Sequence, residues 1–259
     1  LDMGAEIHYE HRIESLKDLL DTDEFDAVFV GTGAPKGKEL NIPGREEADA
    51  NIHIGIEWLE SLHFEHIDSI GEQVLVIGVG NTAMDCCRSS LRVGGKDVKV
   101  MARKSRPYFK ASPWELEDAE EEKVEILGTH SPASFVEWEE NEKGRLVSTK
   151  TGEKFIEADD VILAIGQDNA FPWIERDIGI EFGEWDMPVV DRATFMTTRE
   201  GVFVGGDAAW GPENIIWAVE HGHQAAISMH QHCQGESVTD RPPYGMNLVS
   251  TKMGLHEWR

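Results

Sequence analysis

Five short apolar runs stand out along the chain: Phe25–Val30 (FDAVFV), Val74–Ile77 (VLVI), Val98–Met101 (VKVM), Val161–Ile165 (VILAI) and Val202–Val204 (VFV). Nearly continuous apolar character over such lengths suits strands covered on both faces, as in parallel sheets. Helical patterns lie between several of the runs, so the alternation predicts an α/β fold. Two breaks interrupt it. Leu40–Asp49 contains the turn signal Pro43-Gly44, and Gly166–Pro172 (GQDNAFP) is the second. The stretch between them, residues 49–166, has a self-sufficient βαβ start at Val74 and is expected to form an inserted domain. Residues 1–48 and 167–234 then pair into one discontinuous domain. Residues 235–259, with Pro242-Pro243 and little periodicity, read as an extended tail or a partner-binding arm. Ser112–Glu125 is rich in acids, with Ser112 at the N-cap position, Pro113 first in the helix and Glu115 at the reciprocal capping-box position. It predicts a capped, solvated helix or, alternatively, an acidic docking face.

Charge narrows the partners. In 259 residues, 24 Lys+Arg against 49 Asp+Glu give 24 − 49 = −25 at pH 7. Such a chain repels phosphate polyanions overall, which argues against nucleic acid and anionic membranes while leaving room for one local basic patch. With 40% hydrophobic and 28% charged residues the sequence reads as globular. Three cysteines are too few for a disulfide framework and fit a reducing, cytoplasmic setting. No apolar run approaches the ~18–20 residues that span a bilayer, and the start does not read as a signal peptide. Residue 1 is Leu, so the chain is expected to begin inside a longer polypeptide.

The chemistry concentrates at VLVIGVGNTAMDCCRSSLR, Val74–Arg92, where Gly78, Gly80 and Ala83 have the G-x-G-x-x-A spacing after a strand and at the start of a helix. Gly78 permits a tight turn off the strand, Gly80 presents no Cβ to a pyrophosphate, and Ala83 lets the helix lie close to the strand. Asn81 and Thr82 open the helix, whose free N–H groups and positive dipole end suit phosphates. A glycine-rich turn that binds nothing is the alternative. The next strand ends in Ala102-Arg103-Lys104-Ser105-Arg106 with no acid to take a ribose 2′-hydroxyl, and Asp97 stands at its other end. Arg103, Lys104 and Arg106 therefore suit a 2′-phosphate, which favours NADP(H) and leaves NAD possible; a basic surface turn is the plainer reading.

Taken with FDAVFVGTGAPKGKELNIPG, ASPWELEDAEEEKVEIL, VILAIGQ and GVFVGGDAAWGPENIIWAVEHGHQAA, these motifs resemble the small-subunit type of glutamate synthase and its relatives. Those are flavoprotein NAD(P)H oxidoreductases with the two-dinucleotide-domain architecture of the pyridine-nucleotide reductases. The resemblance runs from about Phe25 to Cys233. It implies an NAD(P)-binding Rossmann-like domain inserted into a discontinuous FAD-binding domain that is incomplete at its N-terminal side, since nothing before Phe25 supplies a second G-x-G-x-x-G. It further implies that Gly31-Thr32-Gly33 and Ala164-Ile165-Gly166 are the crossings between domains, and that Gly206-Asp207 is the flavin motif. The helix opened by Gly211-Pro212, with Ile215, Val219 and Ile227 on one stripe, would turn its positive end to the flavin through the backbone at Glu213, Asn214 and Ile215. Hydride would pass between NAD(P)H and FAD with no side chain acting as acid or base, and electrons would travel to or from an iron–sulfur or catalytic partner subunit. The alternatives are a glutamate synthase (NADPH) small subunit and a non-catalytic nucleotide-binding or assembly fragment.

Other candidate chemistry is weaker. Cys86-Cys87 lacks the C-x-x-C spacing, and adjacent helical residues point about 100° apart, so buried packing fits better than a redox dithiol. His221, His223, His230, His232 and Cys233, like His63 and His66, lack metal-ligand spacing. No G-x-S-x-G nucleophile occurs.

Overall fold

The computed structural model of the chain describes residues 4–22, 24–132, 134–140, 146–152 and 154–239. The tail expected over 235–259 lies outside the described residues from 240 on. In chain order the first elements are α1 (Leu16–Leu20), β1 (Val28–Val30), β2 (Lys36–Gly37), β3 (Ile52–Ile54), α2 (Gly55–His63), β4 (Gln73–Ile77), α3 (Asn81–Arg92) and β5 (Asp97–Met101). There follow α4 (Pro113–Glu121), β6 (Glu125–Leu127), β7 (His130–Ser131), β8 (Ser134–Glu140), β9 (Leu146–Gly152), β10 (Asp160–Leu163) and β11 (Gln167–Asp168). The last are β12 (Val202–Val204), α5 (Asp207–Trp210) and α6 (Ile215–Cys233).

The chain divides into a central unit, Pro35–Asp168, and an outer unit made of the residues up to Ala34 and from Asn169 onward. These limits differ from the expected 48/49 and 166/167. The reason is that β2 pairs antiparallel with β11, Gly37 opposite Gln167 and Lys36 opposite Asp168. Leu40 also packs on the cluster of Leu75, Ile77, Met101 and Leu163.

In the central unit a five-stranded sheet runs in the order β3-β10-β4-β5-β6, all parallel. Successive side chains of a strand point to opposite faces. Val74, Val76, Val98, Val100 and Ile162 therefore meet Trp58 of α2, Met84, Cys86 and Cys87 of α3, and Leu116 and Ala119 of α4. Leu75, Ile77, Met101 and Leu163 form a second apolar layer on the other face. Both faces are buried, which is why β4 and β10 read as unbroken apolar runs. β7, β8 and β9 form a separate antiparallel sheet.

Ser112 is the N-cap of α4 and Pro113 its first residue, yet no side-chain cap bond forms. The Ser112 hydroxyl instead accepts from Asn81 Nδ2 at 3.4 Å, and Glu115 accepts from Arg88 at 3.2 Å, so the capping box is not made.

In the outer unit β1 and β12 pair in parallel, Val28 opposite Val202 and Val30 opposite Val204. Leu16, Val30, Phe171, Ile174, Ile178, Val202 and Val204 gather into its core. Ser15 caps α1 by accepting from Asp18 N–H at 2.9 Å. α6 departs from the expected stripe. Ile215, Ile216, Trp217 and Val219 are exposed, and the buried positions are Ala225, Ser228 and Gln231. Spaced by three, these share one helix face and are small or polar, so an apolar count does not find them.

Candidate functional site

The central unit builds a strand–turn–helix at β4, Gly78–Gly80 and α3. Gly78 has φ +127°, and a Cβ there would lie 2.1 Å from the Ala164 carbonyl oxygen. Only glycine fits, and the glycine turn is thereby brought against Ala164-Ile165-Gly166 at the end of β10. Ala164 N–H donates to Ile77 O at 2.8 Å, and Gly78 N–H donates to Met101 O at 2.9 Å. Gly80 is the N-cap of α3, without a side-chain cap bond, and a Cβ there would meet nothing within 4 Å. Ala83 is fully buried. The first N–H groups of a helix have no intrahelical acceptor. An open helix end with no acid in its first turn and space above a glycine fits a pyrophosphate.

The residues that fasten this turn lie about 30 positions further along and carry no sequence motif that points back to it. Val79 O accepts from Lys110 and Ala111 N–H at 3.2 and 3.0 Å, and Asn81 Oδ1 accepts from Ser112 N–H at 2.9 Å. Asn81 therefore holds the loop with its side chain, while Thr82 is half-buried beside it.

β5 carries the chain to Ala102, whose N–H donates to Leu127 O at 2.9 Å. Arg103, Lys104 and Arg106 follow, all exposed. Among the described residues Arg103 and Lys104 have no ion-pair partner, whereas Arg106 faces Glu120 of α4, Nη2 to Oε2 2.8 Å. That pairing holds the Glu120 carboxyl below the usual carboxylate range. Asp97 is at the far end of β5, paired with Lys99.

The outer unit assembles the other predicted residues. The Phe29 ring lies against both Gly31 and Gly205: Cβ atoms built there would come within 2.9 and 2.8 Å of it. This brings Gly31-Thr32-Gly33 beside Gly206-Asp207. Gly206, at φ +61° and ψ −152°, occupies a conformation open essentially to glycine alone. Its N–H donates to His221 Nδ1 at 3.1 Å. His221 is ringed by Phe195, Trp210 and Trp217. The Asp207 carboxylate accepts from Glu213 N–H at 3.1 Å, so the Glu213 amide is already engaged, and the second carboxylate oxygen keeps acceptor capacity. Asn214 caps α6 by accepting from Trp217 N–H at 3.1 Å. Ile215 stands exposed at the helix start. Asn169 Nδ2 donates to the carbonyls of Asp207 and Ala208, both at 3.0 Å, and its buried Oδ1 has no hydrogen-bond partner among the described residues. Sequence reasoning missed Asn169 and the His221 contact.

Cys86 and Cys87 are buried, and burial raises both thiols, that of Cys87 to about 12. Neither is a thiolate near neutrality. Among the described residues no group of three or more His, Cys, Asp and Glu is arranged to hold a metal. No helix among them is long and apolar enough to cross a membrane. A cavity of about 470 Å³ opens on the sheet face away from the helices, lined by Leu75, Ile77, Met101, Leu163 and Phe155 among others. None of its lining residues belongs to the glycine turn or to the basic segment, and its Arg45 is neutralised by Glu39 and Asp49.

The chain is 30% identical to the NADP(+)-dependent formate dehydrogenase subunit beta of Moorella thermoacetica, over 98% of this chain and 38% of that protein. It is 31% identical to the NADPH-Fe(3+) oxidoreductase subunit beta of Geobacter sulfurreducens, over 86% and 39%. It is 30% identical to the glutamate synthase [NADPH] small chain of Halomonas elongata, over 86% and 52%. The chain thus spans about two-fifths to one-half of the length of these relatives. Thioredoxin reductase of T. acidophilum shares the fold at TM-score 0.61 and 21% identity, over 80% of this chain and 66% of that one. FprA of Mycobacterium tuberculosis in complex with NADPH does so at 0.63 and 16%, over 85% and 66%. The pattern of the pyridine nucleotide-disulphide oxidoreductases matches residues 2–222, and the chain belongs to that family.

Proposed function

We propose that this chain is part of a cytoplasmic, FAD-dependent NAD(P)H oxidoreductase that exchanges electrons with a partner subunit, iron–sulfur clusters being the carriers on the partner's side. The observation that carries the reading is the strand–turn–helix at Gly78–Asn81, with room above Gly80 and a run of exposed cations after β5. The relatives' names support it. All three carry NADP or NADPH, and all are subunits or chains of larger enzymes.

A nicotinamide and a flavin together supply hydride transfer; the chain binds, orients and stabilises. Gly78 and Gly80 let the pyrophosphate approach the backbone, and the α3 N-terminus offsets its charge. Arg103 and Lys104 take the 2′-phosphate, joined by Arg106. In the outer unit the free oxygen of Asp207 accepts a flavin hydroxyl. The N-terminus of α6 favours negative charge on the flavin, through the amides left after Asn214 has capped Trp217. No side chain of the chain acts as acid or base for the hydride. In this reading the central unit, Pro35–Asp168, holds NADP(H) and the outer unit holds FAD.

Two measurements test the proposal. Titration with NADPH and NADH, followed by tryptophan fluorescence, is expected to show tighter NADPH binding. Arg103→Ala should weaken NADPH about tenfold or more, as loss of a charge-assisted bond does, and leave NADH within about twofold. Equal loss for both rejects the 2′-phosphate assignment. Bound flavin whose absorbance bleaches when NADPH is added without oxygen supports the oxidoreductase; nucleotide binding with no flavin signal favours the non-catalytic alternative.

A further inference from the structure

Arg106 offers its guanidinium fork to one carboxylate. Nη1 faces Glu120 Oε1 and Nη2 lies 2.8 Å from Oε2, a two-point contact of the kind arginine also makes with a phosphate. α4 explains why this acid is the one available. Glu115, Asp118 and Glu122 share the face toward α3 and are held by Arg88, at 3.2, 3.2 and 2.9 Å. Glu117 and Glu120, three apart, share the neighbouring face, and Glu117 adds negative field at Arg106. Of the three cations after β5, Arg106 is therefore the one already neutralised by the protein, whereas Arg103 and Lys104 have no ion-pair partner among the described residues.

We propose that Glu120 is an intramolecular competitor for the 2′-phosphate: its carboxylate occupies Arg106 when no phosphate is there and must leave for Arg106 to join Arg103 and Lys104. This rests on the assignment of that segment to the 2′-phosphate. A dinucleotide with a bare 2′-hydroxyl does not need Arg106, so the Arg106–Glu120 pair stays intact when NADH binds. Glu120 thus lowers affinity for NADPH alone and narrows the preference between the two cofactors. The pair is half-exposed, side chains 55% and 39% accessible. Exposed ion pairs are weak, which limits the effect to about fivefold.

The test measures dissociation constants for NADPH and NADH by calorimetry on the wild-type chain and on Glu120→Gln, Arg106→Ala, their combination, and Glu121→Gln. The last makes the same charge change on the same helix at a residue that does not reach Arg106. Glu120→Gln is expected to tighten NADPH about two- to fivefold, with NADH unchanged and Glu121→Gln without effect. In the Arg106→Ala background the gain should vanish, since the two groups act through one contact. The inference is overturned if Glu120→Gln leaves NADPH unchanged, if the gain survives without Arg106, or if Glu121→Gln matches it. A loss of NADH affinity in Glu120→Gln also overturns it, making the carboxylate an acceptor for the ribose hydroxyl. If instead the wild-type chain does not distinguish NADPH from NADH, and Arg103→Ala weakens both equally, the 2′-phosphate assignment itself fails and the competitor falls with it.

Discussion

The two units gather their candidate residues in different ways. In the central unit the turn, the basic segment and the buttress at Lys110–Ser112 come from one stretch, seated on a five-stranded sheet buried on both faces. In the outer unit the residues come from distant stretches, Gly31–Gly33, Asn169, Gly206–Ile215 and His221, around a two-stranded sheet. There one hydrogen bond, from Gly206 N–H to His221 Nδ1, ties the turn to its neighbour, whereas in the central unit Gly78 sits hard against the Ala164 carbonyl and Lys110, Ala111 and Ser112 N–H tie the rest of the turn. The difference implies that damage at Gly78 should appear mainly as lost stability, and damage to the Gly206–His221 contact as a loosened loop on an intact body.

The largest expected effect is at Gly78. Gly78→Ala drives a Cβ into the Ala164 carbonyl at a backbone conformation that disfavours it and should cost about 3 kcal/mol in urea unfolding. Gly80→Ala meets nothing and should cost under about 1 kcal/mol, while dinucleotide affinity falls roughly tenfold. If both destabilise alike, the turn is not held by packing. Next comes His221→Phe, which keeps a ring among Phe195, Trp210 and Trp217 but leaves Gly206 N–H without its acceptor. About 1 kcal/mol is expected, together with faster amide exchange at Gly206, and His221→Asn should recover part of both.

A smaller effect concerns acid. Arg92 and Arg88 hold the Glu122 carboxyl below its ordinary 4.5. Because the folded value is depressed, the stabilisation is present above pH 4.5 and is lost as pH falls through the lowered value. Glu122→Gln should flatten the stability–pH curve there by a few tenths of a kcal/mol, discounted for partial exposure. A steeper acid slope in the variant would contradict this. Smallest of all, Ile216→Ser on the exposed start of α6 should change stability by less than about 0.5 kcal/mol. A large loss would mean that this face is covered in solution.

The strands legible in the sequence were those whose two faces are both buried: VLVI and VILAI announce themselves because neither side chain set may be polar. β8 escaped because Val136-Glu137-Trp138-Glu139 alternates, and β9 because only Leu146-Val147 precedes the polar Ser148-Thr149-Lys150; an apolar-run criterion passes over both. The unit limits escaped because the β2–β11 pairing involves Lys36-Gly37 and Gln167-Asp168, which carry no apolar signature. Likewise the glycine turn was readable from its spacing. The contacts Asn81–Ser112, Gly206–His221 and Arg106–Glu120 exist only once the chain has folded back, 31, 15 and 14 residues along. Spacing rules report what one element needs; they are silent about which neighbour supplies it.

The β2–β11 clasp has an evolutionary side. It sets Lys36 and Asp168, at the two ends of the central unit, opposite one another on adjacent strands, about 5 Å apart, so the segment enters and exits through a single doorway. Close ends of this kind are what lets a segment be inserted into a host chain without spreading the host's own ends.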